Sequence, residues 1–523
     1  MPDPNRKGSS PQESRDAARR STRGVAVFLC GAAFAAAILT AAALREVGGR
    51  SDTPTADEAL IEVKTQNAAA LEETSGPYSR FGWSHPGPLL FYAQAPFYAL
   101  GGRRPASLYA GGVLINLSFI ALTLWAAWRM GPWSALAGAA AVCLIAWRAG
   151  AVLASPWNPH LLLFPWLALV ACGGAWAVQG GRMPLAAVAL CGSWLVQTHV
   201  GAGPSVLLFI AAMAALHPTQ VLARPAAAAL VIALLLWTPV LADLLRHGPE
   251  SNLWQVAAWF AHDTHGHLGP RDALKAAGES LTAFVRPQPV SVPVGWAWRA
   301  SGRTAQSWAM ACGALLVALL VARRARAAAV LTASVVAGGV YTAWSVRGEM
   351  VDHLLFWLGG GVPALFVVAV NASPDTGPRL RRAAVGAVAL AFLACAGMAI
   401  RQLAAQPVRT SPDVSLASRA LLDKLGRDLD RAVADVDDAS WGEAAGIVAQ
   451  LRREHHPIRV SPSLGFMYGR AATAEDDSGL VRVVIRREDT AGARRMTEAY
   501  GAPGIIAGVL QVWLVRPGGE PTR

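Results

Sequence analysis

The segment TADEALIE, residues 55–62, brings three carboxylates close together along the chain: Asp57, Glu58 and Glu62. A carboxylate beside a bound hydroxyl can accept its proton while the oxygen attacks, so Asp57 is a candidate general base. A structural role fits the same residues, because Thr55 and Glu58 stand at capping-box spacing and Asp57 would favour the first turn of a helix. From the residues alone, both interpretations stay open.

The segment FGWSHPGPLLFY, residues 81–92, predicts a bent loop in front of an apolar run. Proline lacks a backbone donor and glycine reaches unusual dihedral angles, so a plain membrane span is not expected here. His85 could contact a phosphate or a sugar, and backbone amides without partners could point at an anion. The alternative is a loop histidine that bonds a carbonyl group at the membrane interface.

Further polar side chains recur near the ends of apolar runs. Arg80 and Arg148 suit a phosphate, because a guanidinium is always charged and binds oxyanions with two donors. Arg148 fits equally well as a side chain that reaches from a span to the interface. Four other residues are candidate sugar ligands or helix caps: Asn158 and His160 in SPWNPH, and Gln197 and His199 in QTH.

The loop AHDTHGH, residues 261–267, contains metal-binding residue types, but its spacing matches no standard site and favours a solvated loop. The six cysteines lie in apolar segments without ligand spacing. The chain has no Walker-type phosphate loop, no GxSxG elbow and no HExxH helix. An ATP-driven pump, an α/β-hydrolase and a zinc protease are therefore disfavoured. No cofactor is defined, and a divalent cation stays open.

Composition predicts a membrane protein. The chain has 523 residues, of which 54% are hydrophobic and only 15% are charged. A bilayer core of about 30 Å needs roughly 20 apolar residues per helix. On that basis we expect about eleven spans, at about 24–44, 107–128, 133–153, 160–178, 184–199, 203–217, 225–243, 305–322, 327–344, 354–371 and 384–400.

Charge asymmetry predicts the orientation of these spans. With eleven spans, nearly all short-loop arginines and lysines fall on the side of the N-terminus, which the positive-inside rule places in the cytoplasm. This count requires a break near Gly201, Gly203 and Pro204, since one continuous span there would reverse every later side. The net charge of +12 arises largely from these short clusters, a pattern that does not indicate nucleic-acid binding.

The same patterns predict three regions: a disordered cytoplasmic tail at 1–23, a membrane domain at 24–402 and a small extracytoplasmic α/β domain at 403–523. The first apolar run is expected to be a retained anchor, because it is longer than a typical signal-peptide core. Two outer loops are expected at 45–106 and 244–304. Within the last domain we predict a helix at Trp441 to Arg453 and strands at Ile458 to Ser461, Val481 to Arg486 and Val509 to Val515.

Several of these motifs occur together in a known superfamily. An acidic first outer loop is followed by GPYSRFGWSHPGPLLFY, SPWNPH and SWLVQTH, with an odd number of spans and an outer α/β domain. This combination resembles the GT-C superfamily. It is most similar to the membrane glycosyltransferases that build cell envelopes from polyprenyl-phosphate sugars, including the arabinosyl- and mannosyltransferase-like branches. The resemblance covers about residues 24–245 and is looser beyond.

The resemblance implies an inverting enzyme of the plasma membrane. It would move a sugar from a polyprenyl phosphate to an envelope glycan, glycolipid or protein on the outer face. It implies Asp57 as the base, Glu62 as a second carboxylate, and phosphate-side roles for a basic and polar set: Arg80, His85, His160 and His199. SPWNPH lacks the acid that many GT-C enzymes carry in a second loop, so metal dependence stays open.

Two alternatives use the same cleft without this chemistry: a flippase or transporter for a lipid carrier, and an inactive scaffold with the same fold. A flippase needs polar residues through the depth of the bundle. The polar residues of this sequence are expected at the outer end of the bundle, where intramembrane polar groups mark a functional site. That placement favours the enzyme.

Overall fold

The computed structural model describes residues 37–221, 224–292, 326–372 and 377–517. This part of the chain is mostly helical, with one five-stranded sheet near the C-terminus. Three predicted features lie largely or wholly outside the described residues: the tail at 1–23, the first apolar run and the span at 305–322.

The N-terminal two thirds of the described chain forms a bundle of apolar helices with shorter helices in its loops. Nine helices lie within residues 37–221: α1 (37–47), α2 (Ala56–Ala69), α3 (Leu89–Leu100), α4 (Ala106–Met130), α5 (Pro132–Arg148), α6 (Leu163–Gln179), α7 (Arg182–Thr198), α8 (Gly203–Leu216) and the short α9 (Pro218–Val221). Those that follow are α10 (Arg224–His247), α11 (Asn252–His262), α12 (Pro270–Leu281), α13 (Arg326–Ser345), α14 (Gly361–Ala369) and α15 (Pro378–Ala405).

Five described segments are long and apolar enough to cross a membrane: Ala106–Met130, His160–Gln179, Ala226–Glu250, Arg326–Ser345 and Pro378–Ala405. Shorter apolar helices, among them α5 and α8, pack beside them. The chain is therefore an α-helical polytopic membrane protein, as predicted, while the count of eleven spans stays a prediction. The predicted break at Gly201 is confirmed, because α7 ends at Thr198 and α8 begins at Gly203.

The apolar run expected at 354–371 is not one straight helix. It consists of the short 3-10 segments Asp352–Leu354 and Phe356–Gly360, followed by α14. Close packing explains the interruption: a Cβ on Gly359 would lie 2.7 Å from the Phe284 ring, and one on Gly360 would lie 3.1 Å from the Leu163 carbonyl oxygen. The glycines let this segment pass its neighbours where a regular side chain would not fit.

The C-terminal part is a small α/β unit. Its helices are α16 (Pro412–Leu425), α17 (Trp441–Arg453), α18 (Gly465–Tyr468) and α19 (Ala491–Tyr500). Its strands are β1 (Ala432–Val436), β2 (Arg459–Val460), β3 (Val481–Arg487), β4 (Ile505–Ala507) and β5 (Leu510–Val515), in the order β2-β1-β3-β5-β4. Strand β1 is parallel to β2 and β3, while β5 is antiparallel to β3 and β4. The predicted helix and all three predicted strands are confirmed; β1 and β4 were not predicted.

Helix α2 belongs to two hydrophobic cores at once. Ala59, Leu60 and Val63 are buried in the core of the C-terminal unit, whereas Ile61 and Ala68 are buried in the core of the helical bundle. Two apolar faces on one short helix explain why the helix is buried almost all round. The element that carries Asp57 is therefore fixed between the bundle and the C-terminal unit.

The loop between α2 and α3 folds back on itself as a narrow hairpin. Its arms meet at the Tyr78–Ser84 bridge, and the Gly76 amide donates to the His85 carbonyl oxygen while the His85 amide donates to that of Pro77. A Cβ on Gly76 would meet three carbonyl oxygens at 2.7–2.8 Å, including that of Gln197 at the end of α7. The bent loop predicted from FGWSHPGPLLFY is confirmed, and the glycine at position 76, just before that segment, is required by close backbone approach.

The predicted orientation can be tested with introduced cysteines in a cysteine-free background. Glu72→Cys and Glu475→Cys, both at exposed positions, should react with a membrane-impermeant maleimide in intact cells. Arg182→Cys, exposed at the start of α7 on the predicted cytoplasmic side, should react only after permeabilisation. Labelling of Glu72→Cys only from inside would reverse the predicted orientation.

Candidate active site

A cavity of about 730 Å³ lies between the α2–α3 loop and the helices α8, α10, α11 and α13. This volume is within the usual range of about 300–1,000 Å³ for ligand sites. Five of the nine predicted site residues line it: Asp57, Arg80, His85, Asn158 and His199. The structure therefore brings together residues from four separate motifs of the sequence.

The Asp57 carboxylate is held by two aromatic donors. The Tyr78 hydroxyl donates to Oδ1 at 2.7 Å, and the Trp157 indole N–H donates to Oδ2 at 2.9 Å. Burial, followed by the nearby Asp57 charge, raises the pKa of Tyr78, so the phenol keeps its proton and stays a donor. A carboxylate has about four lone-pair positions, so both oxygens can still accept from a ligand.

The alternative role of the TADEALIE segment as a capping box is not seen. Thr55 makes no side-chain capping bond, and the Glu58 carboxylate pairs with Arg409 at 2.7 Å instead. Asp57 does lie in the first turn of α2, as either interpretation requires. Its side chain faces the cavity, which is the placement that proton transfer to Asp57 would need.

Two neighbouring histidines, whose ring planes are tilted by 35°, form another part of the cavity wall. The His85 and His199 rings lie 4.5 Å apart, and burial lowers the pKa of His85 well below its ordinary value. The Val200 amide donates to His85 Nδ1 and the Gly201 amide donates to His199 Nδ1. Since each Nδ1 accepts a hydrogen bond, the neutral rings carry their protons on Nε2. Both residues can therefore donate to an anionic or hydroxyl-rich ligand.

Positive charge lies at the rim of the same cavity. Arg80 and Arg347 both line it, and the Arg80 guanidinium donates to the carbonyl oxygens of Arg347 and Glu349. Arg347 also pairs with Asp263 at 3.1 Å. Arg80 thus joins the α2–α3 hairpin to the segment after α13 while keeping its charge beside the cavity.

The opposite wall is apolar and partly open. Leu207 of α8, Phe260 of α11 and Tyr341 of α13 line the cavity and are also exposed, with 67%, 41% and 49% of their surface accessible. On the apolar helices α8 and α13, exposed side chains such as Leu207 and Tyr341 are expected to face lipid. The cavity therefore has a polar end at the hairpin and an apolar side that opens between helices.

A buried lysine fixes the hairpin that carries His85. Lys64 of α2 is only 1% exposed, and its ammonium donates to Ser75 Oγ at 2.9 Å, to the Gly76 carbonyl at 2.6 Å and to Ser84 Oγ at 3.2 Å. The Glu73 carboxylate lies 4.0 Å away. These contacts join both arms of the hairpin to α2.

The remaining four predicted residues lie outside this cavity. Glu62 is fully buried against the C-terminal unit, where it accepts from Tyr98 at 2.7 Å and pairs with Arg453 at 3.0 Å. Arg148 donates to the Gln288 carbonyl. Their places do not support direct contact with a ligand in the large cavity.

His160 and Gln197 support the cavity from behind. His160 Nδ1 bonds Ser155 Oγ at 2.8 Å across the SPWNPH turn, and its ring packs edge-on against Trp157. The Gln197 side-chain amide donates to the Leu236 carbonyl, joining α7 to α10. Neither side chain caps a helix, which was the structural alternative left open by the sequence; of the four residues concerned, His199 does so by accepting from the Gly201 amide.

The site residues that the sequence did not predict are mainly hydrogen-bond partners of the predicted site residues or of the loop that carries them. Nothing in the segment GPYSRF indicates that the Tyr78 hydroxyl donates to Asp57. Lys64, however, is a lone cation directly after Leu60, Ile61 and Val63, and such a charge in an apolar helix segment indicates a buried partner. Among the described residues, no group of three or more His, Cys, Asp or Glu side chains is placed to hold a metal ion.

No protein-family model and no curated protein sequence matches this chain. Its fold, in contrast, is similar to that of ArnT from Cupriavidus metallidurans in the apo state, with a TM-score of 0.54 at 15% identity over 94% of this chain and 98% of that one. At this identity the likeness concerns the fold alone, and it agrees with the kind of membrane fold that the sequence motifs predicted.

Weaker similarity extends to the oligosaccharyltransferase of Archaeoglobus fulgidus. Its apo form has a TM-score of 0.43 at 11% identity, over 86% of this chain and 69% of that chain. AglB from the same organism, in complex with an inhibitory peptide and a dolichol-phosphate, has a TM-score of 0.41 at 11% identity, over 79% of this chain and 63% of that chain.

Replacing Lys64 should destabilise the hairpin. Lys64→Met leaves buried oxygens and Glu73 without their cation, which costs about 3–5 kcal/mol when one partner of a buried pair is lost. Thermal unfolding in detergent should show a large fall in midpoint. Lys275→Met, which removes a surface pair with Asp272, should change stability by less than about 1 kcal/mol. Equal effects of the two variants would contradict the anchoring role.

Proposed function

We propose that the chain is an inverting glycosyltransferase that uses a polyprenyl-phosphate sugar. The observation that carries this proposal is the Asp57 carboxylate, held by Tyr78 and Trp157 on the wall of a cavity with a polar end and an apolar opening. A phosphate-linked lipid has the same division into a polar head and an apolar tail. The GT-C-type fold supports the assignment at the level of architecture.

In the proposed reaction, the acceptor hydroxyl attacks the anomeric carbon of the donor while Asp57 takes the hydroxyl proton. The bond between the anomeric carbon and the phosphate oxygen breaks, and the lipid phosphate leaves with the bonding electrons. Attack opposite to the leaving group inverts the anomeric configuration. The product is the glycosylated acceptor together with a polyprenyl phosphate.

The leaving phosphate would be stabilised at the polar end of the cavity. His85 and His199 present Nε2–H donors there, and Arg80 supplies a permanent positive charge nearby. Donors fixed in advance stabilise developing charge without reorganisation during the reaction. Asn158, which lines the same cavity, would bond the sugar.

The acceptor is an envelope glycan, glycolipid or protein, and the reaction takes place on the outer face of the plasma membrane in this proposal. The C-terminal unit would help to bind it, because α17 packs directly against α2. A flippase for the lipid carrier is the alternative, and the polar residues gathered at one end of the cavity favour the enzyme over it.

The central test is Asp57→Asn, which keeps the shape of the side chain but removes the base. Transfer from radiolabelled polyprenyl-phosphate sugars in isolated membranes should fall by about 10²–10⁴-fold, the usual contribution of a general base. Glu58→Gln is the matched control, since its carboxylate pairs with Arg409 and does not line the cavity. It should keep most of the activity.

Two results of this test would contradict the proposal. Unchanged transfer by Asp57→Asn would reject this residue as the base. No transfer by the native protein with any donor, combined with movement of a labelled polyprenyl phosphate across reconstituted vesicles, would replace the enzyme with a flippase.

Tyr78→Phe tests how Asp57 is held. Loss of the hydroxyl leaves only Trp157 to orient the carboxylate, so kcat should fall about tenfold with little change in KM for the donor. Tyr92→Phe is the control, because the Tyr92 hydroxyl donates to the Glu73 carbonyl and does not contact Asp57. Equal losses in the two variants would show a general effect on the hairpin.

A further inference from the structure

A second, smaller cavity of about 220 Å³ lies between the end of α2, the turn after α3 and the end of α17. Its polar lining consists of Gln66, Tyr98, Arg103, Arg452 and Arg453. Three guanidinium groups face this space, and no carboxylate is among its described lining residues. Carboxylates outside the cavity, among them Glu62 beside Arg453, offset part of this positive charge, and an anion between the guanidinium groups would reduce their remaining repulsion.

Two of the three arginines keep donors available for a ligand. Arg452 uses Nε and Nη2 on the neutral side-chain oxygens of Gln66 and Asn67, and Arg453 uses Nε and Nη2 on Glu62. Within the described part of the chain, this leaves Nη1 of each guanidinium without an assigned acceptor. Burial lowers the pKa of Arg452, and a bound anion would offset that cost.

The third arginine is held in an uncommon backbone conformation. Arg103 has a φ of 58°, directly after Gly102 at 71°. A left-handed conformation is costly for a residue with a Cβ and is concentrated at functional sites. The turn that contains Arg103 leads into α4, a candidate membrane span, so this side chain lies close to the membrane interface.

This cavity is separate from the proposed donor site. Asp57 and Gln66 are nine residues apart on α2, which corresponds to about 13.5 Å along the helix and about half a turn around it. The two cavities therefore lie at different ends and on different sides of α2. A ligand in the smaller one would not contact Asp57.

We propose that the smaller cavity binds an oxyanion, namely a phosphate or carboxylate group carried by a lipid headgroup or by an acidic sugar of the envelope. Guanidinium forks match the geometry of both groups. The volume is below that of sites for drug-sized ligands, which fits a single headgroup or sugar unit. The proposal does not depend on glycosyl transfer.

Arg103→Gln and Arg104→Gln form a matched pair for the test. Both residues are exposed and both substitutions remove one positive charge, but only Arg103 lines the cavity. Binding of radiolabelled inorganic phosphate to the full chain in an uncharged detergent should be saturable. The dissociation constant should rise about tenfold in Arg103→Gln, the usual effect of losing one charged hydrogen bond, and should stay unchanged in Arg104→Gln.

The two sources of the anion are separated by competition. If the natural ligand is a lipid headgroup, nanodiscs that contain phosphatidylglycerol should abolish phosphate binding, whereas phosphatidylcholine nanodiscs should not. If it is an acidic sugar, glucuronate should compete with phosphate and phosphatidylglycerol should have no effect. Absence of saturable binding, or equal weakening in Arg103→Gln and Arg104→Gln, would overturn the proposal. Correct folding of each variant is checked by its elution as a single species.

Discussion

The buried ammonium of Lys64 is the contact on which the candidate site depends. Transfer of a charged group from water into a protein costs several kcal/mol unless partners replace its hydration. Here two hydroxyls, a carbonyl and the nearby Glu73 carboxylate do so, and they belong to both arms of the hairpin. Tyr78 lies in the first of those arms and His85 in the second. The partner of the proposed base and one of the proposed phosphate ligands are therefore positioned by the same cation.

A second constraint acts on the helix that carries both Lys64 and Asp57. One face of α2 is buried in the bundle and another in the C-terminal unit, and the Glu62–Arg453 pair adds a charged contact to that second interface. Helix α17 can approach the segment just before α2 closely because Gly446 has no side chain. A Cβ at that position would lie 2.7 Å from the Pro54 carbonyl oxygen. The C-terminal unit cannot move far without moving Asp57. We infer that its role includes holding the site as well as binding an acceptor.

Sequence patterns predicted the helices, strands and breaks that are determined by residues close together along the chain. The helix Trp441–Arg453 was placed within its observed bounds because its apolar residues recur at helical spacing, and the break after Thr198 followed from Gly201 and Pro204. Partners distant in sequence were not predictable in this way. Glu62 looked like a second active-site carboxylate, but its partner Arg453 is 391 residues further on and in another unit. The span at 354–371 was placed in the correct region but not as 3-10 segments, because the packing of Gly359 on Phe284 is not visible locally.

The large cavity is polar at one end and apolar at its open side. This arrangement favours transfer of a sugar from a bound lipid over passage of the lipid through the membrane. Its charged groups belong to loops and helix ends, whereas the membrane helices α8 and α13 contribute Leu207 and Tyr341, with the hydroxyls of Thr342 and Ser345 at the C-terminal end of α13. Polar groups confined to one end can hold a headgroup there, but they provide no polar path for it across the bilayer. In the proposed reaction, a ligand held in this way would keep its head beside Asp57 while its apolar chain leaves between the helices. The reacting bond would then lie next to a fixed carboxylate, which is the main requirement for acid–base catalysis at such a site.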